Sequence, residues 1–451
     1  QIDPEKIGII GSSAGGHLAL LSATRPAPEI ERPNAAIGLG AQTDFTAPHI
    51  QNAVEGPRHE LYGPFLGGSF REAYHNYRDA SPLHHLSHDD PPVGIISGEL
   101  DQPSTRASRF RHEAMRLGIP TDLEVIANAP HALLRNAAFR KEAVATAREF
   151  FEKAFEEPAP VVESLSDSAP DFPKLQPWTR LGGGYSGCEG AQWLPGPENS
   201  GPILIYAAHH DGLFFRWSAE LGLRLWIDET PETSTLRPTA GGSLIGVDQS
   251  TRLLRRFSNV GVPGEVLVEQ FEEKRLNRPN DLRIHPTTKR IWFTDPNFLF
   301  RQRPLETQEL PGQYVFCYSP SPNGGTLAAP IRDLDLPNGI AISRDGKALF
   351  VGDSKRRQVF RFQFTGPSSV AKREIFANFE EPIDGLAFSP QGHLWVAAGN
   401  GFSLLNENGE AIYRMTLNEK ATSAAFFVED QITHIAVTTR EAAYVSRYSS
   451  Q

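Results

Sequence analysis

The sequence predicts two domains, an α/β domain followed by an all-β six-bladed β-propeller. Three observations lead to this prediction. A short apolar run passes through a Gly-Ser-Ser-Ala-Gly phrase, residues 11–15, into a helical pattern, which is typical of a strand–turn–helix unit. Farther along, a phrase made of a strand, a tight turn and a second strand occurs three times. Between these two regions lies a stretch rich in proline, serine and acidic residues, as expected of a linker.

The chain has 451 residues, more than a single hydrophobic core usually supports, so two or more domains are expected. With 39% hydrophobic and 22% charged residues, it has the composition of a soluble globular protein. We place the α/β domain at residues 1–157, the linker at 158–174 and the propeller at 175–451. A β-sandwich with accidental internal similarity is the alternative to the propeller.

Charge and hydropathy exclude several classes of partner. The net charge of -10 argues against a nucleic-acid ligand, because binding phosphates requires a basic face. No apolar run reaches the roughly 18 residues of a membrane span. The two cysteines form no disulfide framework, and they leave the compartment open between cytoplasm and periplasm. The oligomeric state is open as well.

The Gly-x-Ser-x-Gly phrase predicts a nucleophile elbow with Ser13 at its tip. A serine needs a base to take its proton. Asp101 and His131 each come directly after a predicted strand, in the chain order Ser13, Asp101, His131. In this arrangement Asp101 would orient the imidazole of His131, and His131 would shuttle the proton. Each residue taken alone would more often be an ordinary loop residue.

The phrases GSSAGGHLALLSA, GELDQP and APHALL resemble the C-terminal half of small acetyl-esterase and lipase members of the α/β-hydrolase family. The family has further strands before the elbow, and a His-Gly-Gly loop there supplies oxyanion-hole donors. We therefore expect a truncated α/β-hydrolase domain whose first strand is an exposed apolar edge. The backbone N–H of Ala14 would be one remaining donor, and low activity is expected because losing a donor costs about 10²–10³ in rate.

The three clear repeats begin with polar residues at Asn280, Asn338 and Asp384, which are 58 and 46 residues apart. Fainter copies begin at residues 188, 241 and 422, so six repeats predict six blades. The first strand of a blade begins near the central channel, so these polar residues, together with Glu189, should converge there. Oxygen ligands with two carboxylates suit a hard cation such as Ca²⁺.

The dipeptides Asn338-Gly339 and Asp384-Gly385 could instead be hairpin turns, because Asn-Gly and Asp-Gly are common turn signals. Both dipeptides, however, precede their strand pair. Separate turn signals, Asp345-Gly346 and Gln391-Gly392, lie inside the pairs. The opening residues are therefore available for a shared polar site.

The phrases CEGAQW, LNRPND with FTDP, PNGIA with FVGDS, and PIDGLAF with LWVA resemble the SMP-30, gluconolactonase and luciferin-regenerating-enzyme-like family. This resemblance implies a divalent-metal lactone hydrolase or a related esterase. It implies metal ligands at Glu189, Asn338 and Asp384, with Asn280 either joining them or contacting substrate. It also implies that Arg278 binds the substrate. The metal would be Ca²⁺ first, with Zn²⁺, Mg²⁺ or Mn²⁺ as alternatives.

The leading functional hypothesis is metal-dependent hydrolysis of a sugar lactone or related small-molecule ester, in which Asp384 deprotonates or orients water. A second hypothesis makes the serine esterase the main activity, and the two activities could coexist. A third is a propeller that binds metal or sugar without catalysis.

Overall fold

The computed structural model describes residues 3–25, 31–54, 56, 59–155, 160–165, 172–197, 200–298, 307–322 and 324–449. The chain divides into two compact units, one of residues 1–158 with 182–184 and one of residues 159–181 with 185–451. Among the described residues, no helix has both the length and the apolar composition needed to cross a membrane.

The first unit is a parallel four-stranded sheet with helices between its strands, in the order β1-β2-β3-β4. Its strands are β1 (Gly8–Ser12), β2 (Ala35–Leu39), β3 (Val93–Gly98) and β4 (Thr121–Ile126). Its α-helices are α1 (Ala14–Thr24), α2 (Pro48–Val54), α3 (His59–Leu66), α4 (Tyr74–Asp79), α5 (Pro103–Arg106), α6 (Ser108–Arg116) and α7 (Ala137–Phe155). Short 3₁₀ turns cover Pro4–Lys6, Pro82–His85, Glu99–Asp101 and Leu133–Arg135.

Strands β2 and β3 are buried along their whole length, as expected of parallel strands covered on both faces. Strand β1 is the edge of the sheet, and Ile9 and Ile10 on it are 37% and 45% exposed. Among the described strands, β1 pairs only with β2, so Ser13 follows a strand whose other edge is apolar and unpaired.

The second unit is a six-bladed β-propeller built from antiparallel sheets. Two strands precede the first blade: β5 (Val161–Ser164) and β6 (Thr179–Leu181). Blades 1 and 2 are β7 (Cys188–Leu194), β8 (Ile203–Ala208), β9 (Leu213–Ser218) and β10 (Gly222–Ile227), then β11 (Thr233–Pro238), β12 (Leu244–Asp248), β13 (Leu253–Phe257) and β14 (Pro263–Val268). A 3₁₀ turn, His209–Asp211, joins β8 to β9.

Blades 3 and 4 follow a small hairpin, β15 (Gln270–Phe271) with β16 (Lys274–Arg275). They are β17 (Leu282–Ile284), β18 (Ile291–Asp295), β19 (Gln313–Ser319) and β20 (Thr326–Leu334), then β21 (Pro337–Ile342), β22 (Ala348–Asp353), β23 (Gln358–Gly366), β24 (Ser369–Val370) and β25 (Glu374–Asn378). Blades 5 and 6 are β26 (Ile383–Phe388), β27 (Leu394–Ala398), β28 (Gly401–Leu405) and β29 (Ala411–Thr416), then β30 (Ala421–Glu429), β31 (Ile432–Thr439) and β32 (Ala443–Ser449).

Both strands that precede blade 1 belong to later blades. Strand β5 pairs with β29 as the outer strand of blade 5, and β6 pairs with β32 as the outer strand of blade 6. Residues 161–164, which the composition assigns to a linker, are therefore part of the propeller. The edge of β29 supplies the pairing that a short Val-Val-Glu-Ser segment would not make alone, and residues 166–171 lie outside the described part of the chain.

The second blade also differs from the sequence prediction. The faint copy there was predicted to begin at residue 241, but the inner strand is β11, which lies before it. Residues 239–242 form the turn between β11 and β12. This blade lacks the Pro-Asn-Gly type of opening, so its first strand gave no recognisable repeat signal.

Apolar clusters fill the spaces between neighbouring blades. Trp292 and Val315 of blade 3 belong to one cluster with Ile340, Leu349 and Phe360 of blade 4. Because each blade covers the apolar face of the next, no blade would bury its own face alone.

The inner strands of neighbouring blades approach each other closely at the glycines that follow the polar openings. A Cβ atom at Gly339 would collide with the carbonyl oxygen of Asp384 in blade 5. A Cβ atom at Gly385 would likewise collide with the carbonyl oxygen of Thr422 in blade 6. Each of the dipeptides Asn338-Gly339 and Asp384-Gly385 therefore has two functions. Its polar residue lines the channel, and its glycine lets the neighbouring blade pack closely.

We expect Gly339→Ala to lower the free energy of unfolding of the propeller by about 1–3 kcal/mol, because the added methyl group overpacks this contact. Denaturant titration measures the change. Gly241→Ala is the matched control, since the nearest neighbouring atom to its Cβ would be 3.9 Å away. Equal stability of the two variants would contradict this explanation.

Two aspartates at the ends of second strands hold the loops that precede the inner strands. Asp295 accepts a hydrogen bond from the backbone N–H of Asn277 at 2.8 Å. In the next blade, Asp353 accepts one from the N–H of Asp335 at 2.7 Å. Asp295 is completely buried, and this burial raises its pKa to about 7 despite the backbone N–H donors and the charge of Arg252.

The raised pKa of Asp295 predicts a pH-dependent stability. An unfolded aspartate has a pKa of about 3.9, so between pH 4 and about 7 the folded form holds a proton that the unfolded form has released. The contribution of Asp295 to the free energy of unfolding is therefore most favourable at low pH. Between pH 4 and about 7 it falls by at most about 1.4 kcal/mol per pH unit.

Asp295→Asn removes this titration while keeping an oxygen that can accept from Asn277. We expect the stability of the variant relative to wild type to rise between pH 5 and pH 8, as measured by denaturant unfolding at each pH. If the difference in unfolding free energy between variant and wild type stayed constant over this range, Asp295 would be charged in the folded protein.

Candidate functional site

The predicted polar openings of blades 1, 3, 4 and 5 line one cavity of about 770 Å³ in the propeller. These openings are Glu189, Asn280, Asn338 and Asp384. Each lies at or just before the start of the inner strand of its blade, at β7, β17, β21 and β26. Arg278, the remaining predicted propeller residue, lines the same cavity. The residues selected from sequence are thus brought together.

The side-chain amide of Asn338 has a fixed orientation. Its Nδ2 atom donates to the hydroxyl of Ser354 at 3.1 Å, to the carbonyl of Ile383 at 3.2 Å and to Oδ1 of Asp384 at 3.2 Å. Among the described residues, no donor is bonded to Oδ1 of Asn338. The amide therefore keeps an oxygen free for a ligand.

The two carboxyl groups of the cavity lie in surroundings that disfavour negative charge. Burial raises the pKa of Glu189 well above its ordinary value, and the negative charges of Asp384 and Asp281 raise it further. Burial also raises the pKa of Asp384 to about 6, although Lys420 and Arg440 oppose this shift. Two such carboxylates in one cavity favour a bound cation, because a cation would compensate their charges.

The donor set fits a hard divalent cation. Over the described ranges, no three or more His, Cys, Asp and Glu side chains form a cluster suited to a metal. The candidate set instead combines the carboxylates of Glu189 and Asp384 with the amide oxygen of Asn338. An all-oxygen set of this size suits a hard cation that keeps water in its remaining positions.

Asn280 and Arg278 differ in how available they are to a ligand. Asn280 is 6% exposed, and its side chain makes no hydrogen bond to another described residue. The guanidinium of Arg278 donates to Oε1 of Gln249 at 2.5 Å and to Oε2 of Glu232 at 2.8 Å. Asn280 is therefore free to bind substrate, whereas Arg278 is held by protein partners.

Sequence reasoning missed the residues that surround Glu189. Gln249 donates from Nε2 to Oε1 of Glu189 at 3.2 Å, and it also accepts from Arg278. Nδ1 of His209 lies 3.2 Å from the same Glu189 oxygen. Burial keeps the pKa of His209 well below its ordinary value, so its imidazole is neutral. The His209-His210 pair was a visible signal, but Gln249 and Glu232 belong to blade 2, which lacks the repeated phrase.

In the first unit, the three predicted triad residues are in hydrogen-bonding contact. Oγ of Ser13 lies 2.9 Å from Nε2 of His131, and Nδ1 of His131 lies 2.7 Å from Oδ2 of Asp101. Nε of Arg106, which the sequence analysis did not select, lies 3.2 Å from the other carboxylate oxygen of Asp101. The arrangement is that of a nucleophile, a base and a group that orients the base.

The turn at Ser13 has the strained backbone that a nucleophile elbow requires, with φ 57° and ψ -117°. A Cβ atom at Gly11 would collide with the carbonyl of Gly15, which explains the first glycine of the motif. The second glycine of the motif, Gly15, has no such steric role, because a Cβ there would meet open space. The close packing falls instead on Gly16, where a Cβ would lie 2.9 Å from the carbonyl oxygen of Gly11.

Ala14 is the first residue of α1, so its N–H has no acceptor within the helix. This leaves it available as the one oxyanion donor that the sequence predicts. Ser13 is exposed and the side chain of His131 is 42% exposed, whereas Asp101 behind them is buried.

Comparisons with known proteins agree with this division of the chain. The BD-FAE family model matches residues 1–109. The esterase LipM of Mycobacterium tuberculosis, described as a probable carboxylic ester hydrolase, is 36% identical over 109 residues. That alignment covers 22% of this chain and 25% of the esterase, so the chain spans a quarter of that relative.

The propeller matches a different group of proteins. A gluconolactonase of Zymomonas mobilis is 24% identical, covering 49% of this chain and 68% of the relative. The solved structure of a gluconolactonase from Xanthomonas campestris superposes with a TM-score of 0.54 at 22% identity. It covers 64% of this chain and 95% of that one, which confirms the six-bladed fold.

The model of the SMP-30/gluconolactonase/LRE-like region matches residues 207–441, just over half of the chain. The matched range includes Asn280, Asn338 and Asp384 at the openings of their blades. The chain therefore belongs to the SMP-30/gluconolactonase/LRE-like family.

Proposed function

We propose that the propeller hydrolyses a sugar lactone or a related small-molecule ester with a bound divalent cation. One observation carries this proposal: the half-buried carboxylates of Glu189 and Asp384 and the free amide oxygen of Asn338 line the same cavity. Oxygen donors in this combination support a hard cation, with Ca²⁺ first and Zn²⁺, Mg²⁺ or Mn²⁺ as alternatives. The gluconolactonases similar to this chain support the lactone class.

Glu189, Asn338 and Asp384 would hold the cation. When bound, the cation supplies Lewis-acid polarisation of the ester carbonyl. Asp384 would orient the attacking water and accept its proton, the role of a carboxylate general base. The free amide of Asn280 donates to or accepts from substrate hydroxyl groups.

Arg278 has a positioning function in this proposal. It bridges Gln249 and Glu232, and Gln249 in turn donates to Glu189. The guanidinium thereby fixes the orientation of a proposed cation ligand.

We expect Asp384→Ala to lower kcat/KM for an aldonolactone by about 10²-fold or more, because it removes both a cation ligand and the proton acceptor. Treatment with a chelator should abolish the same activity, and adding back a divalent cation should restore it. Elemental analysis of the purified protein gives an independent measure of bound metal. Asp345→Ala is the control, since Asp345 is an exposed aspartate that pairs with Lys347 outside the cavity.

A protein that neither contains nor takes up a divalent cation would overturn the metal-dependent mechanism. Tight binding of metal or sugar, without turnover of any lactone or ester, would identify the propeller as a binding module instead.

The bonded triad of the first unit favours a second candidate activity, serine ester hydrolysis. Ser13 Oγ would attack the acyl carbon while His131 takes its proton, and Asp101 would stabilise the resulting imidazolium. His131 would give this proton to the departing alcohol as the ester C–O bond breaks, and water would then release the acyl group from Ser13 as the free acid. The N–H of Ala14 would donate to the oxyanion.

Ser13→Ala should abolish hydrolysis of short acyl esters and labelling by a serine-directed phosphonate, because both need the Ser13 hydroxyl as nucleophile. In the wild-type protein, ester hydrolysis and phosphonate labelling should both persist when a chelator is present. This result would distinguish the serine esterase from the metal-dependent activity of the propeller. Ser22→Ala is the matched control, since Ser22 lies in α1 and its hydroxyl donates to Ala19. Ester hydrolysis that survives Ser13→Ala would place the activity elsewhere.

A further inference from the structure

We propose that the substrate of the propeller cavity carries an anionic group, a carboxylate or a phosphate, in addition to the ester that is cleaved. The inference rests on the proposed function, and it names the class of lactone or ester that the site takes. The geometry points to Lys355, Arg357, Lys420 and Arg440 as the residues that recognise this group.

These four basic residues line the cavity from two blades. Lys355 and Arg357 lie in the turn between β22 and β23 of blade 4. Lys420 precedes β30, and Arg440 follows β31, both in blade 6. Blades 4 and 6 flank blade 5, which carries Asp384. Basic groups are therefore present on both sides of the proposed reaction centre.

The four basic side chains make no ion pair or side-chain hydrogen bond with another described residue. Other arginines nearby are paired. Arg356 lies between Lys355 and Arg357 in sequence, yet it pairs with Asp335 at 3.0 Å. Arg180 pairs with Glu419, the residue before Lys420, at 3.2 Å. Within the described ranges, the neighbouring arginines are thus neutralised by carboxylates, whereas these four basic groups are left for a ligand.

The charge of the cavity differs from the charge of the chain. The protein has a net charge of -10, but the described cavity lining contains five basic and three acidic side chains. Two of the acids, Glu189 and Asp384, are the proposed cation ligands. A bound divalent cation would compensate them and leave the basic groups in excess. A partly enclosed basic site in an acidic protein attracts and orients a small anion.

The size of the cavity favours a small molecule as the source of that anion. Its volume of about 770 Å³ is within the range of sites for small ligands. Lysine and arginine bind carboxylates and phosphates through charge-assisted hydrogen bonds, which are stronger than those between neutral groups. Lys355 and Arg357 are exposed and Lys420 is half-buried, so the basic groups extend from the mouth of the cavity inward.

The test compares three substrates that share one lactone ring: a neutral aldonolactone, its terminal phosphate ester, and a lactone with a second carboxylate. The measured quantity is the ratio of kcat/KM for each anionic substrate to kcat/KM for the neutral one. We expect this ratio to exceed about tenfold in wild type for at least one anionic substrate, since a charge-assisted hydrogen bond is worth that much. The substrate with the higher ratio shows whether the group is a phosphate or a carboxylate.

The double variant Lys355→Gln/Arg357→Gln and the single variant Lys420→Gln should each lower the ratio by about tenfold. Lys347→Gln is the matched control, because it removes one positive charge from blade 4 at an exposed position outside the cavity. The control should keep the wild-type ratio. An equal fall in the control would assign the effect to overall charge and overturn the inference.

Calorimetry provides a readout that does not depend on turnover. The probes are an aldonate, its terminal phosphate ester and a dicarboxylic aldarate. The aldonate carries only the carboxylate that lactone hydrolysis produces, whereas the other two probes carry an additional anionic group. Tighter binding of the phosphate ester or the aldarate than of the aldonate, lost in the double variant, would support the inference. It would do so even if no lactone were hydrolysed, since that failure would refute only the proposed lactonase activity. Lactone hydrolysis with equal ratios and equal binding would overturn the inference and leave the proposed activity standing.

Discussion

The propeller depends on the close approach of inner strands around its channel. At three of the four openings, Glu189-Gly190, Asn338-Gly339 and Asp384-Gly385, the glycine allows the backbone of the next blade to come within contact distance. Hydroxyl groups then join the blades, as where Thr294 donates to the carbonyl of Asn338 at 2.7 Å and Ser234 donates to that of Asn280 at 2.7 Å. These contacts fix the polar side chains that precede the glycines, so the same packing builds the ring and the cavity.

Much of this arrangement was predictable because the constraint is local in sequence. A polar residue followed by glycine, just before a pair of strands, can be recognised in the amino-acid sequence. The three residues found in this way, Glu189, Asn338 and Asp384, line one cavity in the structure. The nucleophile motif is equally local. Its partners Asp101 and His131 could be selected because each lies in the segment that follows a strand.

The site residues and strands that could not be predicted depend on contacts between segments that are distant in sequence and share no motif. Gln249 and Glu232 become important only because blade 2 packs beside blades 1 and 3, and their own segment has no repeated phrase. Lys355, Lys420 and Arg440 lie in loops outside the repeated phrase, so the sequence repeat does not relate them to one another. The Val-Val-Glu-Ser strand β5 has the composition of its linker surroundings, and it becomes a strand because β29 offers a free edge.

The positions of β5 and β6 have a consequence for how the protein assembles. The strand that completes blade 6 lies more than 250 residues upstream of its partner β32, as in the pairing of Thr179 with Val445. A ribosome therefore releases these early segments long before their partners exist, and the ring cannot close until nearly the whole propeller has been synthesised. Such distant pairing is slow to form. Any separation of the two domains for expression should accordingly cut before residue 160. A cut after β5 would leave blade 5 without its outer strand, and a cut after β6 would leave blades 5 and 6 without theirs.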